Sequence, residues 1–116
     1  MTQEEKELLL KDLCARLPYG VQVCYKIHLE DEPIDVTLSG LLLDYFKNKT
    51  IVEIKPYLRP MSSMTEEEKR KYIRLSVNAA ICGDYQQVDY LNSIHVDYRG
   101  LIPKGLAIEA PEGMYK

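Results

Sequence analysis

The 116-residue sequence has no tryptophan and a single phenylalanine, and its three cysteines, Cys14, Cys24 and Cys82, contain no Cys-x-x-Cys pair. A zinc knuckle and a thioredoxin-like redox motif are thereby excluded. The thiols read as reduced, small apolar side chains, mostly buried. The only histidines, His28 and His95, lie far apart and belong to no recognisable metal-ligand motif, so no metal or cofactor is expected. No glycine cluster joins a strand to a helix, which removes the P-loop and the dinucleotide fingerprint. No long segment is strongly basic, and the net charge is −3. Phosphate neutralisation needs clustered Lys and Arg, so nucleic acid is a poor candidate partner. The longest apolar runs, Leu8 to Leu10 and Leu41 to Leu43, are far too short to span a bilayer. The polar, acidic start from Met1 to Glu7 is unlike a signal peptide, and a cytoplasmic location away from membranes is expected.

What the chain does have is 46% apolar and 28% charged residues, enough for one packed domain over 1–116. Thr2 and Glu5 match a capping box, and Leu9, Leu13 and Leu17, with Leu10 and Cys14, recur at helical spacing; a helix over 3–16 ends at Pro18 and Gly20. From Val21 the period becomes two. Val21, Val23, Tyr25, Ile27 and Leu29 alternate with polar residues, the 30–33 segment turns, and Ile34, Val36 and Leu38 alternate again as a second strand. Gly40 interrupts, and 41–46 reads as a bent continuation or a separate strand. Another strand is expected over 50–57, with Val52 and Ile54 on its apolar face. Pro56 and Pro60 lack ladder N–H groups, so 56–60 reads as an extended edge leaving the sheet. A second capping box, Thr65 with Glu68, opens a helix over 66–81 whose acidic first turn complements its positive end. Ile73, Val77, Ala80 and Ile81 form its expected buried stripe, and Gly83-Asp84 stops it. A short helix over 86–94 and short pieces near Leu101-Ile102 and Leu106 to Ile108 complete the chain. The fold class is α+β: a small antiparallel sheet flanked by an N-terminal helix and C-terminal helices, in the preferred form of an SH3-like barrel.

Few residues carry chemistry. His28 falls on the polar face of its strand. His95 is near Asp97, which could orient an imidazole, but nearness in sequence is no acid–base site. The acidic runs Glu30 to Glu32 and Glu66 to Glu68 read as a solvated turn and a helix start. Nine tyrosines are the one unusual feature. Tyrosine suits either the margin of a core or the centre of an interface. Tyr57 with Arg59, and Asp97, Tyr98 and Arg99, are the binding candidates; no residue is assigned a catalytic role.

Three segments, Leu8 to Val21, Ile54 to Glu68 and Asp97 to Ile102, carry the motifs LLLKDLCARLPYGV, IKPYLRPMSSMTEEE and DYRGLI. In these the chain resembles a group of uncharacterised small proteins of gut anaerobic bacteria, often encoded in phages or other mobile elements. The resemblance implies such an origin and brings no activity or functional residue with it.

The sequence thus favours a non-enzymatic binding or adaptor protein with a protein partner. A nucleic-acid module would need Lys47, Lys49, Lys55 and Arg59 to converge with Tyr57. A small hydrolase would need His95, Asp97 and a cysteine or water in one cleft. A homodimer through an exposed strand edge near 50–54 is a further expectation.

Overall fold

The computed structural model describes residues 2–82 and 85–115, with side chains described outside 76–86. Helix α1 (Gln3–Arg16) starts at the capping box: Thr2 Oγ1 accepts from Glu5 N, and Glu5 Oε1 accepts from Thr2 N at 2.9 Å. Its buried side is Leu9, Asp12, Leu13 and Arg16. Leu9 and Leu13 fulfil the apolar reading, but an aspartate and an arginine complete the stripe. Cys14, expected on it, is exposed, whereas Cys24 is buried as expected.

Strands β1 (Gln22–Lys26), β2 (Ile34–Thr37), β3 (Glu53–Leu58) and β4 (Ile108–Glu109) form one open sheet in the order β2-β1-β3-β4. The β1–β2 and β1–β3 pairings are antiparallel, and β3–β4 is parallel. The α+β class is therefore observed, but the expected antiparallel barrel is corrected to an open, mixed sheet. One face carries Val23, Ile54 and Leu58, sealed by Leu9 and Leu13 of α1 together with Leu43, Phe46, Leu101 and Leu106.

Four expectations change. First, 41–46 is helical: α2 spans Gly40–Lys47, with Ser39 Oγ accepting from Leu42 N as its N-cap. Leu43 and Phe46, three residues apart, are its buried side, a spacing no strand provides. Second, β1 ends at Lys26, and Ile27 and Leu29 are exposed because the chain turns away from the sheet there. Third, β3 begins only at Glu53, so Val52 is exposed and Ile51 is buried ahead of the strand. Fourth, Pro56 lies within β3, which has strand neighbours on both sides, rather than on an edge leaving the sheet. Leu58 O accepts from Ala110 N on the β4 side. Pro56, two residues earlier, points its nitrogen the same way, and β4 pairs only with Tyr57 and Leu58. No ladder bond is forfeited there.

Beyond β3, α3 (Glu66–Cys82) and α4 (Tyr85–Ser93) pack on each other. Both helices were expected. Met64, Leu91 and Val96 make a second small core between α4 and the sheet's end. Ile73 is exposed rather than buried, since α3 is covered mainly on its α4 side. The side chains of the expected stripe positions Val77, Ala80 and Ile81 and of Cys82, and the whole of the Gly83-Asp84 stop, lie outside what is described. Among the described residues no helix is long and apolar enough to cross a membrane.

Candidate functional site

The 95–97 segment joins the sheet where β1 gives out. Arg59 N donates to His95 O, and Asp97 N donates to Arg59 O, both at 2.7 Å. Between this segment and β1 the next ladder pair would be Gln22 with Tyr57. A tyrosine hydroxyl takes its place: Tyr115 accepts from Gln22 N at 2.8 Å and donates to Tyr57 O at 2.7 Å. Burial pushes the Tyr115 phenol up to about 12, so it remains a donor at neutral pH.

Beside this seam lies a buried polar cluster. Arg16 is wholly buried; its Nε donates to Asp12 Oδ2 at 2.8 Å and its Nη2 to Val96 O at 2.7 Å. Arg99 Nε donates to the other Asp12 oxygen at 3.0 Å. The Tyr98 ring lies beneath both guanidinium groups, 5.1 Å from Arg16 and 4.9 Å from Arg99, and its hydroxyl accepts from Arg99 Nη2. One carboxylate thus holds two arginines, and one ring faces both. Asp97 uses both carboxylate oxygens on the backbone, accepting from Leu101 N and Ile102 N at 2.8 and 2.9 Å. The structure brings Tyr98 and Arg99 together with Asp12 and Arg16, while Asp97 is spent on the turn at Leu101 and Ile102. Asp12 and Arg16 carried no role in the sequence reading; their i, i+4 spacing in phase with Leu9 and Leu13 was the available signal.

Arg59 and Tyr57 sit elsewhere. The Arg59 guanidinium makes a two-pronged pair with Glu68 at 2.7 and 2.8 Å and also donates to Ile94 O, Ser63 O and Ser63 Oγ. This pair holds the Glu68 carboxyl down at about 2 and raises Arg59 further. Tyr57 reaches across β1 on the polar sheet face to donate to Asp35 Oδ1 at 2.7 Å. That bond, chiefly, raises the phenol above its ordinary range, and burial beside Asp35 raises the Cys24 thiol. A thiol so shifted is a poor nucleophile at neutral pH.

His95 does not meet Asp97 as an acid–base pair: its buried Nδ1 has no hydrogen-bond partner, and the Asp97 oxygens accept from the Leu101 and Ile102 N–H groups. Its backbone adopts the left-handed conformation (φ 63°) that closes α4: His95 N donates to Asn92 O and Val96 N to Leu91 O. This is the double bond of a Schellman ending, usually given to glycine. The imidazole stacks on Tyr115 at 3.8 Å. Burial, with Arg16 and Arg59 nearby, pushes its pKa down to about 4. A depressed histidine is neutral in the folded chain and charges first in the unfolded one, so stability falls as pH drops from about 6.5 toward 4. Urea titrations at pH 7 and 4.5 are expected to differ by about 2 kcal/mol from this group. His95→Asn, which tolerates the same backbone, is expected to flatten that interval; an unchanged slope would remove His95 as its source.

Of the basic positions in the nucleic-acid reading, Lys47 and Lys49 lie at the end of α2, Lys55 pairs with Glu53 on the sheet face that also carries Tyr57, and Arg59 is held by Glu68. Among the described residues no group of three or more His, Cys, Asp or Glu side chains could hold a metal ion.

The free surface of different character is apolar. A groove of about 430 Å³ runs between the end of β1 and α2, lined chiefly by Tyr25, Ile27, Leu41, Leu42, Tyr45 and Ile51, with Ser39 and Thr50 as its polar members. Leu41 is 60% exposed, Tyr45 43% and Ile27 42%. Helical spacing puts Leu41 and Tyr45 on one side of α2, opposite the Leu43 and Phe46 that enter the core. The helix is thus apolar on two sides, and only one is covered. The chain matches no protein-family model, no curated protein and no solved structure.

Proposed function

We propose that the protein is a non-enzymatic binding protein that receives another polypeptide in the groove between β1 and α2. The observation that carries this reading is the exposure of Ile27, Leu41 and Tyr45 around one apolar concavity. Contiguous apolar surface is costly in water, and a monomer keeps it where a partner covers it. The polar residues that could have served chemistry are committed to the fold: Asp97 to two amides, Arg59 to Glu68, Arg99 to Asp12 and Tyr57 to Asp35. The resemblance to small proteins of phages and mobile elements is consistent with an adaptor that engages a host polypeptide.

A photo-crosslinking residue placed at Leu41, and for comparison at exposed Lys11 on α1, tests this in extract of the native host. A discrete polypeptide adduct is expected from position 41 alone. Equal labelling from both positions, or none from 41, would remove the groove as the binding surface. The substitution Leu41→Glu is expected to change stability by no more than about 0.5 kcal/mol, because the side chain is already exposed, while abolishing the adduct formed by a crosslinker at Tyr45.

A further inference from the structure

Resting on the groove as the binding surface, we infer that its occupant is an extended segment of another protein, added as a fifth strand along β2 and bearing a basic residue beside the 30–32 loop. Strand β2 is a sheet edge, four residues long, whose only strand neighbour among the described residues is β1. Leu38 N donates to Val21 O, so residues 36 and 34, of the same parity, also turn their backbone groups toward β1. Asp35 and Thr37 therefore turn their N–H and C=O groups outward, and a strand laid beside them would complete these bonds.

The apolar surface is continuous with this edge. Ile34 lies directly across from Tyr25 in the β1–β2 register and points to the same face. It is 45% exposed and carries the groove's apolar wall to the outer side of β2. Inward side chains of an added strand would lie on Ile34 and Val36, leaving alternate positions to solvent. The edge has few of the devices that discourage pairing: Pro33 precedes β2, and the strand itself has no proline or lysine.

Charge selects the occupant. Glu30, Asp31 and Glu32 are all exposed at the N-terminal end of β2, and among the described residues none of them joins an ion pair. Asp44 is exposed on α2, next to the groove-lining Tyr45. Lys47 and Lys49 lie at the opposite end of α2. A Lys or Arg on the incoming segment therefore finds its counter-charge at the β2 end of the groove. A second copy of this chain pairing β2 with β2 would bring no basic residue of its own strand to that loop, so a foreign segment fits better.

Short random peptides displayed on phage and selected on the purified full chain test this. Enriched sequences are expected to alternate apolar and polar residues, with Lys or Arg at one end. Thr37→Pro removes an outward N–H while leaving the β1–β2 ladder intact, and is expected to weaken the best-enriched peptide by about tenfold or more. As a check on the unaltered chain, N-methylation of that peptide at every second amide should abolish binding in one phase and spare it in the other. Reversing Glu30 and Glu32 to lysine should remove the preference for the basic end. Apolar residues enriched at helical spacing, or affinity indifferent to Thr37→Pro and to both N-methyl phases, would overturn the strand mode; if Leu41→Glu still abolished binding, the groove itself would stand. Indifference to Leu41→Glu as well would remove both. A wild-type dimer in light scattering that Thr37→Pro converts to monomer would assign the edge to a second copy and overturn the inference.

Discussion

Arg16→Met is expected to lower the free energy of unfolding by about 3–5 kcal/mol, the largest loss from any single substitution considered. The guanidinium is wholly buried and ties three elements together: Asp12 on its own helix, Val96 O at the seam with β3, and the Tyr98 ring. Its removal leaves the buried Asp12 carboxylate with Arg99 alone and the Val96 carbonyl with the Tyr98 N–H alone. Both groups were desolvated on folding, and a buried charge that loses its closest partner forfeits hydration without full compensation. The pair is costly even when made, since Arg16 Nη1 has no protein partner. The double variant Asp12→Leu, Arg16→Met should accordingly recover part of the loss, because both wholly buried charges are gone, while the more exposed Arg99 keeps its bond to the Tyr98 hydroxyl. Urea denaturation of the two single variants and the double gives the coupling. A double variant no more stable than either single would show that the loss comes from packing and not from the orphaned charge.

Arg59→Met comes second, at about 2–3 kcal/mol by thermal or urea unfolding. All of its described contacts join the exit of β3 to the start of α3 and the end of α4: Glu68 by two bonds, Ser63 O, and Ile94 O. Glu68 is also the capping residue that accepts from Thr65 N, so the variant loosens the helix start as well. The signature is in the acid limb. With Glu68 held at about 2 against an ordinary value near 4.5, its contribution is complete above the ordinary value and is lost as pH falls toward 2. Arg59→Met should remove the larger part of that loss along with the stability at neutral pH, leaving the part that the Thr65 bonds supply. A variant with wild-type acid sensitivity would show that Glu68 draws its shift from elsewhere.

These two arginines explain what was legible in the sequence. Helices α1 and α3 could be read because both open with capping boxes, a local device written in adjacent residues. Strands β1 and β2 could be read from period-two alternation. Helix α2 is obscured because it is only eight residues long and is closed just beyond its cap by Lys49, where φ is 62° and Lys49 N donates to Phe46 O and Thr50 N to Tyr45 O. A glycine there would have announced the helix end; lysine did not. His95 conceals the end of α4 in the same way. The candidates Arg59, Asp97, Tyr98 and Arg99 were singled out as contact residues, and they do make contacts, but with this chain's own Glu68, Leu101, Arg16 and Asp12. Arg and Tyr mark protein surfaces that meet, and composition alone does not say whether the two surfaces belong to one molecule or two. The groove was illegible for a further reason. Its lining comes from β1, α2 and the loop into β3, and the sequence pattern reads 41–46 as a strand or a bent continuation of one, which scatters the exposed side formed by Leu41 and Tyr45.

The central claim is that the polar clusters hold the fold while the apolar groove holds the partner. Binding of the best-enriched peptide to the folded Arg59→Met and Leu41→Glu variants, measured by fluorescence anisotropy at a temperature where both remain native, tests it most directly. The account predicts near-wild-type affinity for Arg59→Met despite its lowered stability, and loss of binding for Leu41→Glu at unchanged stability. Binding lost with Arg59→Met and retained with Leu41→Glu would contradict it.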